Sequence, residues 1–199
     1  MRCGCLTLMS IHSFCSSSLC VLLFISHAVC ANASGIESHP SRYRISNVPQ
    51  VVQERDDCGP AALSAVFQFW GLSRSQDKLA EKLSTRHRAG SFNIDLLLAA
   101  RDEGFDARGV VGNFDELKSL VAHDIPVIVL LRLNGFFSGL WHYAVVVGYD
   151  ETADQIVTHA GEAQETRFSA NGFLKAWSKG EYWMLVVRPK AKAQREGAR

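Results

Sequence analysis

The stretch Gln53-Glu54-Arg55-Asp56-Asp57-Cys58-Gly59-Pro60-Ala61-Ala62-Leu63 decides how the rest of the chain is read. A glutamine and a run of charged residues lead to one cysteine, and a Gly-Pro pair then opens an apolar run. Asp56 and Asp57 stand where helix N-caps belong, and Pro60 suits a first helical turn. Leu63, Val66, Phe67 and Trp70 recur at helical spacing up to Gly71, which fits the position just past a helix end. The pattern predicts a helix that presents a thiol at its N-terminus, where the dipole and the free N–H groups lower a thiol pKa from about 8.5. The small residues Gly59, Ala61 and Ala62 are expected to let a substrate backbone come close to the sulfur.

Working upstream, residues 1–33 read as a secretory signal peptide. Arg2 is a minimal basic start, Leu19 to Ile25 an apolar core, and Ala31-Asn32-Ala33 a small-x-small cleavage site. The stretch falls short of the about 20 apolar residues of a membrane span. Met1 and Met9 both stand as start sites. Lipidation at Cys30 is disfavoured, because Val29 occupies the place of a small residue. Five of the six cysteines precede residue 34, so removal of the signal leaves Cys58 alone. That excludes an internal disulfide and a paired-cysteine zinc site, and a lone thiol in an oxidising compartment points to chemistry. Setting aside Arg2 leaves 20 of the 21 Lys and Arg residues against 20 Asp and Glu, a balance that gives no sign of nucleic acid.

Downstream of the signal, 34–47 is rich in Ser, Gly, Pro and Asn and reads as a linker. The domain is expected at 48–189, entered by an extended run from Val48 to Gln53. Ser73-Arg-Ser-Gln76 has the form of a capping box for a second helix through Leu83, and 85–90 is a loop. A third helix runs from Asn93 to Gly104, a strand from Phe105 to Val111, and a fourth helix opens at Asn113-x-x-Glu116 and runs through Ala122. Strand runs follow at 127–131, 143–147, 155–158 and 182–187, with a helix at 171–178 introduced by Ser169. Helices first and strands after predict an α+β fold, N-terminal helices packed on a mainly antiparallel C-terminal sheet. Residues 190–199 read as a disordered basic tail.

A thiol that attacks a carbonyl needs a base. Of seven histidines, only His142 opens a buried-type strand, in Leu140-Trp141-His142-Tyr143-Ala144-Val145-Val146-Val147-Gly148. Between 134 and 141, Gly135-Phe136-Phe137-Ser138-Gly139 fits either a mobile apolar lip or a buried turn.

Taken together, Q-x-x-x-x-C-G-P-A-A-L and the later W-H-Y-A-V-V-V-G-Y-D resemble the papain-like, bacteriocin-processing peptidases, family thirty-nine of the cysteine peptidases. The resemblance runs from about Val48 to Pro189. It implies a papain-like fold, Cys58 as nucleophile, His142 as general base and the side-chain amide of Gln53 in the oxyanion hole, with Gln50 the lesser substitute. Gln53 lies five residues before the cysteine, where many members have six. The resemblance also implies an Asp or Asn that orients the imidazole after the next strand. This chain has Thr158-His159-Ala160-Gly161-Glu162 there, so His159, or Glu162 in its stead, is expected to take that part.

The expected function is thus a periplasmic or secreted cysteine peptidase that cleaves a peptide through a Cys58 thioester. Two alternatives stand: a peptide-binding module that keeps the fold without turnover, and a cell-wall amidase or transpeptidase. Family members often remove leaders after a Gly-Gly pair and carry a transporter and an ATPase. Neither a membrane span nor a G-x-x-x-x-G-K-[ST] loop follows in this chain, so a stand-alone member is expected, without nucleotide, cofactor or metal. The expected partners are a peptide or protein substrate, with association to a membrane periphery or export machinery left open.

Overall fold

The computed structural model describes residues 39–54, 57–83, 91–133 and 140–190. The expected signal peptide with Cys30, the cap Asp56, the loop 85–90, the aromatic stretch 135–139 and the tail from 191 lie outside the described residues. Among those described, the elements follow as β1 (Arg42–Arg44), α1 (Cys58–Phe69), α2 (Gln76–Leu83), α3 (Asn93–Asp102), β2 (Asp106–Val111), α4 (Phe114–Ala122), β3 (Val127–Leu133), β4 (Leu140–Asp150), β5 (Gln155–His159), β6 (Thr166–Phe168), α5 (Ala170–Lys179) and β7 (Trp183–Arg188).

The strands form one sheet in the order β2-β7-β3-β4-β5-β6, with β1 added to β4, and every pairing is antiparallel. The α+β expectation therefore holds. β4 is the axis of the sheet. Its eight residues from His142 to Tyr149 are all buried, which explains the unbroken Ala-Val-Val-Val run: a strand covered on both faces has no polar side to alternate with. β3 pairs with β4 from Leu140 to Val146, and β1 takes up β4 again from Gly148 to Asp150. β5 pairs with β4 on either side of an irregularity at Val147. On the β1 edge, the Val147 carbonyl accepts from the backbone N–H of Ile45 at 2.9 Å and from Arg44 Nη1 at 3.1 Å.

α1 packs against β4 and α2. Leu63, Val66 and Phe67 of α1 are fully buried, and the Phe67 ring stacks on Phe105 at 4.9 Å between centroids. The helix thus enters the core along the stripe that the sequence marks, and Gly71, at φ +85°, ends it.

Four local expectations need correction. First, the stretch read as a linker up to Asn47 belongs to the fold: β1 lies within it, and Ile45 is 2% exposed. Second, Asp57 occupies the N-cap position of α1 without a side-chain capping bond. Third, α2 begins two residues later than a Ser73 box requires. Ser75 Oγ accepts from Lys78 N, and the side chain of Gln76 turns away to the 52–54 backbone. Fourth, β6 was not expected, and its three residues are too few to show a period. By contrast, Asn113 Oδ1 accepts from Glu116 N at 2.9 Å and Ser169 Oγ from Gly172 N at 3.1 Å, as N-caps should.

If β1 and Ile45 belong to the cooperative unit, Ile45→Ala should lower the unfolding free energy by about 2–5 kcal/mol in urea titrations. A change under about 0.5 kcal/mol, the level of an ordinary surface substitution, would return this stretch to the status of a linker.

Candidate functional site

Cys58 is the first residue of α1 and is half-buried. Its small neighbours do not open onto a cleft as expected. Gly59, Ala61 and Ala62 are buried, and a Cβ built on Gly59 would meet Ser91 Oγ at 3.0 Å and Leu96 Cδ1 at 3.2 Å. The small residues therefore let the start of α3, rather than a substrate, close onto the thiol-bearing turn. The hydroxyl of Tyr143 donates to Asn93 Oδ1 at 2.7 Å and lies 3.2 Å from the Ser91 carbonyl. Its pKa is pushed up by burial first, then by the negative charge that Cys58 and Asp95 carry when ionised. Cys58 is therefore within electrostatic reach of Tyr143, the residue that follows His142 in β4.

His142 is the third residue of β4 and 6% exposed. Its Nε2 lies 2.9 Å from the Ala160 carbonyl oxygen. A carbonyl only accepts, so Nε2 carries the proton, and in the neutral ring Nδ1 is left as the acceptor. Burial pushes the pKa of the ring down, opposed by the Ala160 bond and by the charge of Glu162. The neutral form is therefore the resting one at neutral pH, which is what a proton acceptor needs.

His159, expected against that ring, is occupied elsewhere. Its Nδ1 lies 3.2 Å from the Pro49 carbonyl and its Nε2 3.3 Å from Arg44 Nη2. A carbonyl cannot donate and a guanidinium cannot accept, so the ring is protonated at Nδ1 and accepts at Nε2. Glu165 pairs with Arg44 and Arg167 and stands 3.9 Å from His159 Nε2. Burial and the nearby Arg44 lower the pKa of His159, against the pull of the Pro49 bond and of Glu165. The residue thus ties β1 and the 48–54 strap to the end of β5. Glu162, the substitute, is exposed and reaches His142 by charge alone. The bond that holds the ring comes from a backbone carbonyl, which no residue type announces.

Gln53 lies beside that carbonyl. Its backbone N–H donates to Gly161 O at 2.8 Å, and its side chain lies over Gly161. A Cβ at 161 would be 2.7 Å from Gln53 Oε1, and φ is +79° there, so glycine is required twice over. Gln53 Oε1 is buried with no hydrogen-bond partner among the described residues; the same holds for Nε2 of Gln50, the lesser candidate. Thus Gln53, Ala160-Gly161 and His142 form one continuous cluster, and Cys58 follows Gln53 by five residues on the adjoining helix start.

A separate groove of about 530 Å³ is lined from β3, β4, β6 and α5, and none of Cys58, His142 and Gln53 is among its walls. Its walls include Trp141, Phe168, Lys175 and Lys179, and the guanidinium of Arg132 sits 5.0 Å over the Trp141 ring. Among the described residues, no group of three His, Cys, Asp or Glu side chains is placed to hold a metal ion.

Known proteins share this architecture. The chain is 26% identical to the peptidase domain of ComA from Streptococcus, described as a bi-functional ABC transporter involved in quorum sensing. The match covers 70% of this chain and 97% of that domain with a TM-score of 0.57. A double glycine motif protease from an AMS/PCAT transporter, solved with its leader peptide, matches over 74% of this chain and 95% of its own at 19% identity, with a TM-score of 0.58. The chain therefore has the papain-like fold of these peptidase domains. An uncharacterized protein of Methanothermobacter thermautotrophicus is 32% identical over 102 residues, which is 51% of this chain and 64% of that protein. The sequence model of the Peptidase_C39 like family matches residues 45–182, from the buried Ile45 to the end of α5 and just beyond, and the chain belongs to that family.

Proposed function

We propose that this protein is a cysteine peptidase in which Cys58 attacks a peptide carbonyl and His142 takes the thiol proton. The observation that carries the reading is the hydrogen bond from His142 Nε2 to Ala160 O, because it fixes the tautomer with Nδ1 as the acceptor. The thiol proton passes to Nδ1 as the sulfur–carbon bond forms, and the carbonyl π electrons move onto oxygen. Collapse of the tetrahedral adduct expels the amine, which takes the proton back from the imidazolium, and water then hydrolyses the thioester. The N–H groups at the start of α1 and the Gln53 amide are the donors for the oxyanion. The Ala160 carbonyl orients the ring in place of a carboxylate. It offers a partial rather than a full negative charge to the imidazolium, so modest turnover is the expectation.

The same feature favours a second reading, a peptide-binding module of this fold with little or no turnover. For that module, the groove walled by Trp141, Phe168, Arg132, Lys175 and Lys179 suits an extended peptide that carries acidic and apolar side chains. The apolar leader read at 1–33 supports export of the domain.

Peptide-library digestion with mass-spectrometric readout separates the readings. Cleavage by the parent, absent in Cys58→Ala, is expected. Binding without cleavage, unchanged in Cys58→Ala, would favour the module. Gln53→Ala should lower kcat by about a hundredfold if its amide meets the oxyanion, and an unchanged kcat would remove it from the site. The lowered pKa of His142 also fixes a pH dependence, since the base works only when neutral. The acid limb of kcat/KM should fall below about pH 6.5, the ordinary histidine value, so that activity persists into mildly acidic solution. A limb above that value would contradict the assignment.

A further inference from the structure

The strap that carries Gln53 has no regular secondary structure, yet its backbone is bonded along two edges as a strand would be. On one edge the Gln53 N–H meets Gly161 O at 2.8 Å. On the other, the groups of the flanking residues point away, where a sheet would place another strand. One side chain stands in for that strand: Gln76 Nε2 donates to Val52 O at 2.8 Å, and Gln76 Oε1 accepts from Glu54 N at 3.2 Å.

From this we infer that Gln76 is a positioning residue, which sets the place of the Gln53 amide by gripping the backbone on both sides of it. The inference rests on the peptidase reading for its catalytic consequence. A primary amide is suited to the task because it offers a donor and an acceptor in one plane. Glutamate would set an acceptor against the Val52 carbonyl, and lysine would set donors against the Glu54 N–H. Gln76 is also anchored. It opens α2, which is held in the core by Leu79 and Leu83, and Ser75 supplies the capping oxygen, so the amide is free for the strap. Two bonds from one plane fix both the height and the twist of residues 52–54, and with them the direction in which Gln53 leaves the backbone. Misplacement of a reacting group by an ångström is enough to lose much of its effect.

The test compares Gln76→Ala, Gln76→Glu, Gln53→Ala and the Gln76→Ala/Gln53→Ala pair in the full chain. Acylation is followed as the burst of 4-nitrophenol from a 4-nitrophenyl ester, which passes through an oxyanion. Alkylation by iodoacetamide forms none and, read by mass spectrometry on the peptide that carries Cys58, reports that thiol alone. Deuterium uptake of the peptide spanning 48–54 reports the strap. Both Gln76 variants should lower acylation about tenfold with alkylation within about twofold of the parent, and uptake by the strap should rise. Added to Gln53→Ala, Gln76→Ala should lower acylation no further. Unchanged strap uptake would overturn the inference. So would a full acylation loss in the Gln53→Ala background, or a fall in alkylation that matches it. A parent that alkylates but never acylates would overturn the peptidase reading and the catalytic half of this inference, while strap uptake would still decide whether Gln76 holds Gln53.

Discussion

Two consecutive backbone carbonyls after β5 hold the site together. Ala160 O takes the His142 ring and Gly161 O takes the N–H of Gln53. His142 and Gln53, the proposed base and oxyanion donor, are therefore both bonded to one turn. The turn is possible because Gly161 adopts φ +79° and has no Cβ to strike the Gln53 side chain that lies on it. Around it, β4 supplies the floor and α1 the thiol. The cluster of Arg44, His159 and Glu165 fastens β1 and the strap to the end of β5.

The position that the family resemblance reserves for an acidic or amide side chain shows how a site can be rewired. His159 stands there, but its ring is turned to Pro49 and Arg44, and the orienting bond passes to the backbone one residue on. The ring stays fixed in tautomer and direction. What is given up is the full anionic charge that would stabilise an imidazolium, and this is the physical reason to expect modest turnover.

Much of this was legible in the sequence, and the reasons are specific. The helix opened by Cys58 carries a 3.6-residue apolar stripe bounded by Gly71, and β3, β4 and β7 carry β-branched runs that only buried strands require. Cys58, His142 and Gln53 are chemically distinctive residue types at telling places, and the structure brings the elements that bear them together. What escaped was made of backbone or of context. Ala160 acts through a carbonyl that any residue has. β1 is three residues with charged ends, too short to show a period, and it is held by its pairing with the far end of β4. Gln76 read as half of a capping box because local spacing cannot show that a side chain is claimed by a strap some twenty residues away. The small residues around Gly59 read as a substrate approach, yet α3 fills that space.

The claim on which the account turns is that Cys58 gives its proton to His142. The most direct measurement is the rate of Cys58 alkylation across pH, read on the peptide that carries Cys58, beside His142→Ala and a Cys58→Ala control. The account predicts labelling with a midpoint well below the unperturbed thiol value of about 8.5, and a shift of that profile upward in His142→Ala. A parent profile centred on the unperturbed value, or one that His142→Ala leaves unchanged, would contradict it.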